Sequence, residues 1–147
     1  MKVFWCTDTD WLLSEAAFAL YAPCLYRATY EKYRAQIEKY SEDSSVKVYV
    51  CEDRGEKVGM LVLAKSGQAA RMVGIAVRES RRHQGIGKNM LQRAMDLEDL
   101  ATLTAQTDDA AIGFYRKCGF ADHTEKVVYP DGTVIRYICE LKKPANA

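Results

Sequence analysis

The chain has 147 residues, of which 48% are hydrophobic and 28% charged, with a formal net charge of +1. That length predicts a single domain over residues 1–147, able to bury roughly 68–70% of its unfolded surface without covalent staples. No apolar run nears the ~18 residues of a membrane span, the basic residues form no footprint for nucleic acid, and Met1 to Asp8 carries no signal-peptide apolar region, so a cytoplasmic protein is expected.

In chain order, Lys2 to Cys6 is apolar enough for a strand. Thr7 or Asp8 then caps a helix through Trp11, Leu12, Ala16 and Leu20, which Pro23 ends because proline cannot continue a helix interior. Tyr30, Tyr33, Ile37 and Tyr40 share a helical face, which predicts a helix over about Arg27 to Tyr40. Val46–Cys51 and Lys57–Ala64 read as a hairpin around Glu52–Glu56, and Ala70–Val77 as a third strand. Gly74 inside that strand marks either a bulge or close approach, or a small residue under a bulky neighbour. Ile86, Met90, Ala94 and Leu97 give the next helix a buried face. Leu100–Thr104 is its parallel partner strand. Asp108 caps a helix with the stripe Ala111, Phe114, Tyr115 and Cys118, and Gly119 ends it. Phe120–Tyr129 and Thr133–Leu141 are strands around Pro130-Asp131-Gly132, and Pro144 to Ala147 is a frayed end. This order predicts an α+β fold, a mixed sheet with helices on its faces.

The five cysteines, Cys6, Cys24, Cys51, Cys118 and Cys139, form no C-x-x-C pair and are odd in number, which predicts free thiols in a reducing compartment. His83 and His123 have no ligand-like companions, so no metal site is expected. Cys118 beside Lys117 reads as a small hydrophobe of the helix stripe, with an activated thiol as the alternative.

The chemistry concentrates after Val77. Arg82-His83-Gln84-Gly85-Ile86-Gly87 joins an apolar strand to a helix. The first amides of a helix have no internal partner and sit at the positive end of its dipole, which suits phosphate. Gly85 and Gly87 would let an anion approach the backbone, and Arg78, Arg81 and Arg82 would add charge. The stretch fits neither a P-loop, which needs glycine at 82 and Ser or Thr at 89, nor a dinucleotide fingerprint, which needs glycine at 90. A tight turn with solvated arginines is the plain alternative.

Ile75-Ala76-Val77 followed by Arg82-x-x-Gly85-Ile86-Gly87-x-x-x-Leu91 resembles the acyl-coenzyme A signature of the GNAT N-acyltransferase superfamily, and Ala111-Ile112-Gly113-Phe114-Tyr115-Arg116-Lys117-Cys118-Gly119-Phe120 resembles its second hallmark. The resemblance spans about residues 46–141. It implies a mixed, largely antiparallel sheet of about seven strands with helices on both faces. It implies that backbone groups of Ile75, Ala76 and Val77 pair with the pantetheine arm. Amides from Arg82 through His83, Gln84, Gly85, Ile86 and Gly87 to Lys88 would hold the pyrophosphate, and Tyr115 would protonate the leaving thiolate. Without the resemblance, Tyr115 reads as a core aromatic. His83 stands where the family often has glycine, and Glu79 where it often has proline. The strand has no carboxylate to serve as general base, and Asp108, Asp109, Glu79 or a water are the open candidates.

The implied function is acetyl-CoA-dependent transfer of an acetyl group to a primary amine, without a metal. Residues 7–45 and the Val127–Thr133 hairpin would build the acceptor side, and a homodimer is a compatible assembly. Two alternatives stand beside this: a catalytically silent acyl-CoA sensor or partner subunit, and a protein N-acetyltransferase.

Overall fold

The computed structural model describes residues 1–143, and the expected frayed end, Pro144 to Ala147, lies outside the described residues. The elements are β1 (Lys2–Trp5), α1 (Thr9–Leu12), α2 (Glu15–Tyr21), α3 (Tyr30–Glu42), β2 (Val46–Asp53), β3 (Glu56–Ser66), β4 (Ala69–Val77), α4 (Ile86–Leu97), β5 (Thr102–Thr107), α5 (Ile112–Lys117), β6 (Ala121–Tyr129) and β7 (Gly132–Lys142). Single 3₁₀ turns occupy Ala22–Cys24 and Glu79–Arg81. The seven strands form one sheet, ordered β1-β2-β3-β4-β5-β7-β6. All neighbours are antiparallel except β4 and β5.

Alternation along the central strands places helices on both faces. Val48 and Val50 of β2 and Met60 and Val62 of β3 pack under α1–α3, with Ala17, Tyr21, Tyr33 and Ile37. Their neighbours Tyr49, Cys51, Leu61 and Leu63 pack under α4 and α5, with Met90, Leu91, Ala94 and Tyr115. Successive residues of a strand point to opposite faces, so strands apolar at every position are those covered twice.

Three elements differ from the sequence reading, each for a local reason. The helix expected through Leu20 is two, because Ser14 accepts the Ala17 amide at 3.2 Å and starts a new one. The next helix starts at Tyr30 and not near Arg27, capped by Thr29 on the Lys32 amide at 3.2 Å. β5 runs from Thr102 to Thr107, later than expected, because Asp99 at φ +51 and the bend after Leu100 carry the chain back to the sheet before it extends.

One ionic cluster ties the end of α4 to the sheet. Glu98 is buried and accepts from Lys47 at 2.8 Å, Lys65 at 3.3 Å and the Tyr49 hydroxyl. Burial pushes its carboxyl up, but these three donors outweigh burial and hold it below the ordinary value.

Candidate active site

The sheet is split at its centre. β4 pairs with β5 only from Ala69 to Arg71, opposite Thr102 to Thr104. Beyond that row β5 continues beside β7 to Thr107, while β4 turns away. The divergence begins at a bulge: Val62 pairs with Gly74 and Leu63 with Met72, leaving Val73 as the extra residue. Both readings of Gly74 hold together, because a bulky neighbour also lies on it. A Cβ at position 74 would overlap the Tyr21 hydroxyl.

The free edge of β4 presents two carbonyls to the split. Ile75 O accepts from the Cys24 thiol at 3.1 Å, and Val77 O accepts from Arg82 Nε at 3.1 Å. Backbone groups alternate sideways along a strand, so Ala76, paired with Met60, turns its own toward β3. Burial pushes the Cys24 thiol up to about 11, so it is a neutral donor.

The loop after β4 has the expected polarity, by a different division of labour. Arg78 is paired with Glu56 at 2.7 Å and Arg81 with Asp53 at 2.6 Å, which corrects the expectation that both offer charge to an anion. Gln84 accepts from Arg81 Nε at 3.1 Å. The exposed Arg82 has no ion pair among the described residues, and its own amide donates to Glu79 O at 3.3 Å. His83 and Gly85 both take the left-handed conformation, at φ +63 and +79. The first bond within α4 runs from the Asn89 amide to Gly85 O at 3.0 Å, which leaves the Ile86, Gly87 and Lys88 amides without helical partners. Gly87 has a packing reason of its own for lacking a side chain: a Cβ there would meet the Phe114 ring at 2.7 Å. A cleft of ≈ 350 Å³ lies between α2 and this loop, lined by Ala16, Leu20 and Pro23 on one side and Val77, Glu79 and Arg82 on the other.

Tyr115 lies in the core under α4 and α5, on the face opposite α1–α3, with Cys24 among its neighbours. Its ring sits edge-on to Phe114 and Phe120, with centroids 5.2 and 5.3 Å away. Burial pushes the phenol up to about 12, so it is protonated at neutral pH. The hydroxyl makes no hydrogen bond among the described residues, yet it is not sealed from solvent. Asp108 accepts the Ala111 amide at 3.0 Å, and Asp109 accepts from the Tyr137 hydroxyl at 2.6 Å, so both hold α5 and β7 in place. Burial raises the Cys118 thiol above its ordinary value, which fits a packed hydrophobe and not an activated thiolate. All five cysteines are free. Among the described residues, no group of three or more His, Cys, Asp or Glu side chains is placed to hold a metal. No helix of the described residues is long and apolar enough to cross a membrane. Tyr21 falls within the stretch expected to build the acceptor side, but its approach to β4 leaves one trace in the sequence, Gly74, and Cys24 leaves none.

The family model described as acetyltransferase (GNAT) domain matches residues 44–122, and the chain belongs to that family of acyltransferases. No curated protein sequence matches it. Among solved structures, it is similar to the ribosomal-protein-S18-alanine N-acetyltransferase from Escherichia coli, at 18% identity and a TM-score of 0.73, over 99% of this chain and 96% of that one. An aminoglycoside 6'-N-acetyltransferase complexed with coenzyme A superposes at 13% identity and a TM-score of 0.71, over 100% of both chains. A spermidine N-acetyltransferase chimera from Vibrio cholerae and hSSAT does so at 14% identity and 0.72, over 97% of this chain and 96% of that one. At these identities the likeness establishes a shared fold, here the seven-stranded, mostly antiparallel sheet with helices on both faces.

Proposed function

We propose that this protein is an acetyl-CoA-dependent N-acetyltransferase, a single functional domain that moves the acetyl group directly to a primary amine. The observation that carries the reading is the split between β4 and β5, with one wall an unpaired strand edge and Tyr115 near the Cys24 that bonds that edge.

The residues suit the coenzyme along its length. The unpartnered amides at the start of α4 and the Arg82 guanidinium, which has no ion pair among the described residues, suit a diphosphate. His83 and Gly85, both left-handed, turn the loop from Arg82 toward Ile86, Gly87 and Lys88. Ile75 and Val77 offer edge carbonyls to an amide-bearing pantetheine arm, with Ala76 spacing them. Bound acetyl-CoA would supply the activated thioester.

Transfer forms one N–C bond and breaks one C–S bond. The amine sheds a proton to water, the thiolate takes one up, and the group that gives it regains its own from that water. Tyr115 is the donor the geometry offers. A free thiol has a pKa of roughly 8.5 and a free phenol roughly 10. Burial raises Tyr115, but it raises the proton affinity of a thiolate formed in the same split as well. The acceptor would enter between α1–α3 and the β6–β7 hairpin, whose β7 residues before Tyr137 extend past the end of β5. The three structural relatives named above all act on amines, which supports that class.

The test is thiol release from acetyl-CoA with spermidine, kanamycin and an alanine-initiated peptide, beside direct titration of the coenzyme. Turnover with any of them supports the reading. Tight coenzyme binding with transfer to none replaces it with a coenzyme-binding module.

A further inference from the structure

Four tyrosines are buried: Tyr21, Tyr33, Tyr49 and Tyr115. Two have ordinary partners, since Tyr33 donates to Leu12 O at 2.6 Å and Tyr49 donates to Glu98. A buried phenol normally finds such a partner. Tyr21 and Tyr115 donate to none of the described residues, and neither hydroxyl is sealed off. Tyr115 belongs to the core under α4 and α5, and Tyr21 to the core under α1–α3. The two side chains therefore approach from opposite faces of the sheet. They meet at the split: the Tyr21 hydroxyl lies directly over Gly74, the residue at which β4 diverges. Burial, with Cys24, Tyr40, Tyr33 and Tyr115 around it, raises Tyr21 well above an ordinary phenol.

We propose that Tyr21 is a second functional phenol of this site, a hydrogen-bond donor to the acyl carbonyl oxygen from the acceptor face. The inference rests on the reading of the split as an acetyl-CoA site. Its physical basis is the donor without a partner. A hydroxyl on a rigid ring, over a glycine that leaves it room and with no acceptor among the described residues, is available to a carbonyl that enters the split. As the amine adds, the carbonyl oxygen takes up an electron pair and returns it when the C–S bond breaks. A fixed dipole aimed at that oxygen in a water-poor site stabilises the charge without reorganising. Tyr21 gives up no proton in this role, and Tyr115 supplies the one that goes to sulfur. Gly74 is then required twice, once for the bulge and once to leave space for the phenol.

The test needs no acceptor. Acetyl-CoA and S-ethyl-coenzyme A differ in the carbonyl oxygen and otherwise match in shape. Both are titrated into the wild type and Tyr21→Phe, with thermal unfolding as the control for folding. The wild type should prefer acetyl-CoA by about 5-fold, the scale of one neutral hydrogen bond. Tyr21→Phe should lose that preference while binding S-ethyl-coenzyme A as before. The carbonyl stretch of bound ¹³C-acetyl-CoA should lie at lower frequency in the wild type than in the variant. A preference and a stretch unchanged by Tyr21→Phe would overturn the role of Tyr21 and leave the coenzyme reading intact. Failure of the wild type to bind either ligand would overturn both. If Tyr21→Phe does not fold, Tyr21→Trp and Gly74→Ala each displace the hydroxyl, and the same preference must vanish in whichever folds.

Discussion

Gly87 and Phe114 are fitted to each other: a Cβ at position 87 would stand 2.7 Å from the edge of the Phe114 ring. This contact joins the first turn of α4, which carries the unpartnered amides, to α5, which carries Tyr115 on the next residue. The spacing between the unpartnered amides of α4 and the Tyr115 phenol is therefore set by a missing methyl group.

Gly87→Ala should destabilise the protein despite the better helix propensity of alanine. Overpacking a tight contact costs roughly 1–3 kcal/mol, against a propensity gain of about 1 kcal/mol. Chemical denaturation should show a lower midpoint with an unchanged slope, and a midpoint at or above wild type would mean that Phe114 moves freely.

His83 holds φ +63, a conformation that costs a non-glycine residue about 1–2 kcal/mol. His83→Gly should remove that strain and lose part of the gain to the more flexible unfolded chain, leaving about 0.5–1 kcal/mol of stabilisation. The unfolding midpoint should rise, and coenzyme A affinity should stay within a factor of two or so.

Arg82 should carry most of the salt dependence of coenzyme A binding. Arg78 and Arg81 are neutralised by Glu56 and Asp53, so their replacement by alanine should leave the slope of log affinity against log salt nearly unchanged. Arg82→Ala should flatten it, because exposed charge–phosphate contacts are screened over roughly 8 Å at physiological ionic strength. Equal slopes for all three variants would remove Arg82 from the phosphate site.

Tyr115→Phe keeps the ring and its contacts with Phe114 and Phe120 and removes the proton. With an acceptor in hand, kcat should fall by about 10- to 1,000-fold, on the scale of general acid catalysis. Coenzyme affinity should change by less than about 1 kcal/mol, because the thiolate exists only as the C–S bond breaks. An unchanged kcat under conditions where chemistry limits would return Tyr115 to the core.

Glu98 predicts acid sensitivity at the far end of α4. Its carboxyl is lower in the folded protein than in the unfolded chain, so its contribution is complete above the ordinary carboxylate range and is lost as pH falls through the folded value. Glu98→Gln should cost about 2–3 kcal/mol at neutral pH, less than for a fully buried pair because Lys47 and Lys65 stay partly solvated. The wild-type advantage should shrink as stability is measured at progressively lower pH; a constant difference would show that Glu98 acts by packing alone.

The order of strands and helices was legible because its signals are local: alternation in β2 and β3, the helical stripe from Ile86, and Gly119 at φ +94 past the end of α5. The two signature stretches gave the family because their meaning lies in residue type and order. What the sequence hid depends on the third dimension. Arg78 and Arg81 look as free as Arg82 until Glu56 and Asp53 arrive from the β2–β3 hairpin. That Gly87 is also needed for the close approach of Phe114 shows only once α5 packs on it. Tyr21 and Cys24 come to the split from a helix and a turn more than fifty positions before Ile75, and no spacing rule connects them.

A sheet that divides in its middle acquires two new strand edges where most sheets have none, and exposed edges recruit strands from other molecules. The hydrogen bonds from Cys24 to Ile75 and from Arg82 to Val77 occupy the carbonyls of one such edge. Before any ligand arrives, the thiol and the guanidinium therefore act as stoppers against self-association. On the proposed reading, a coenzyme arm entering along β4 would share or displace bonds already made, so the contacts that resist intruding peptide strands would also set a threshold for the ligand.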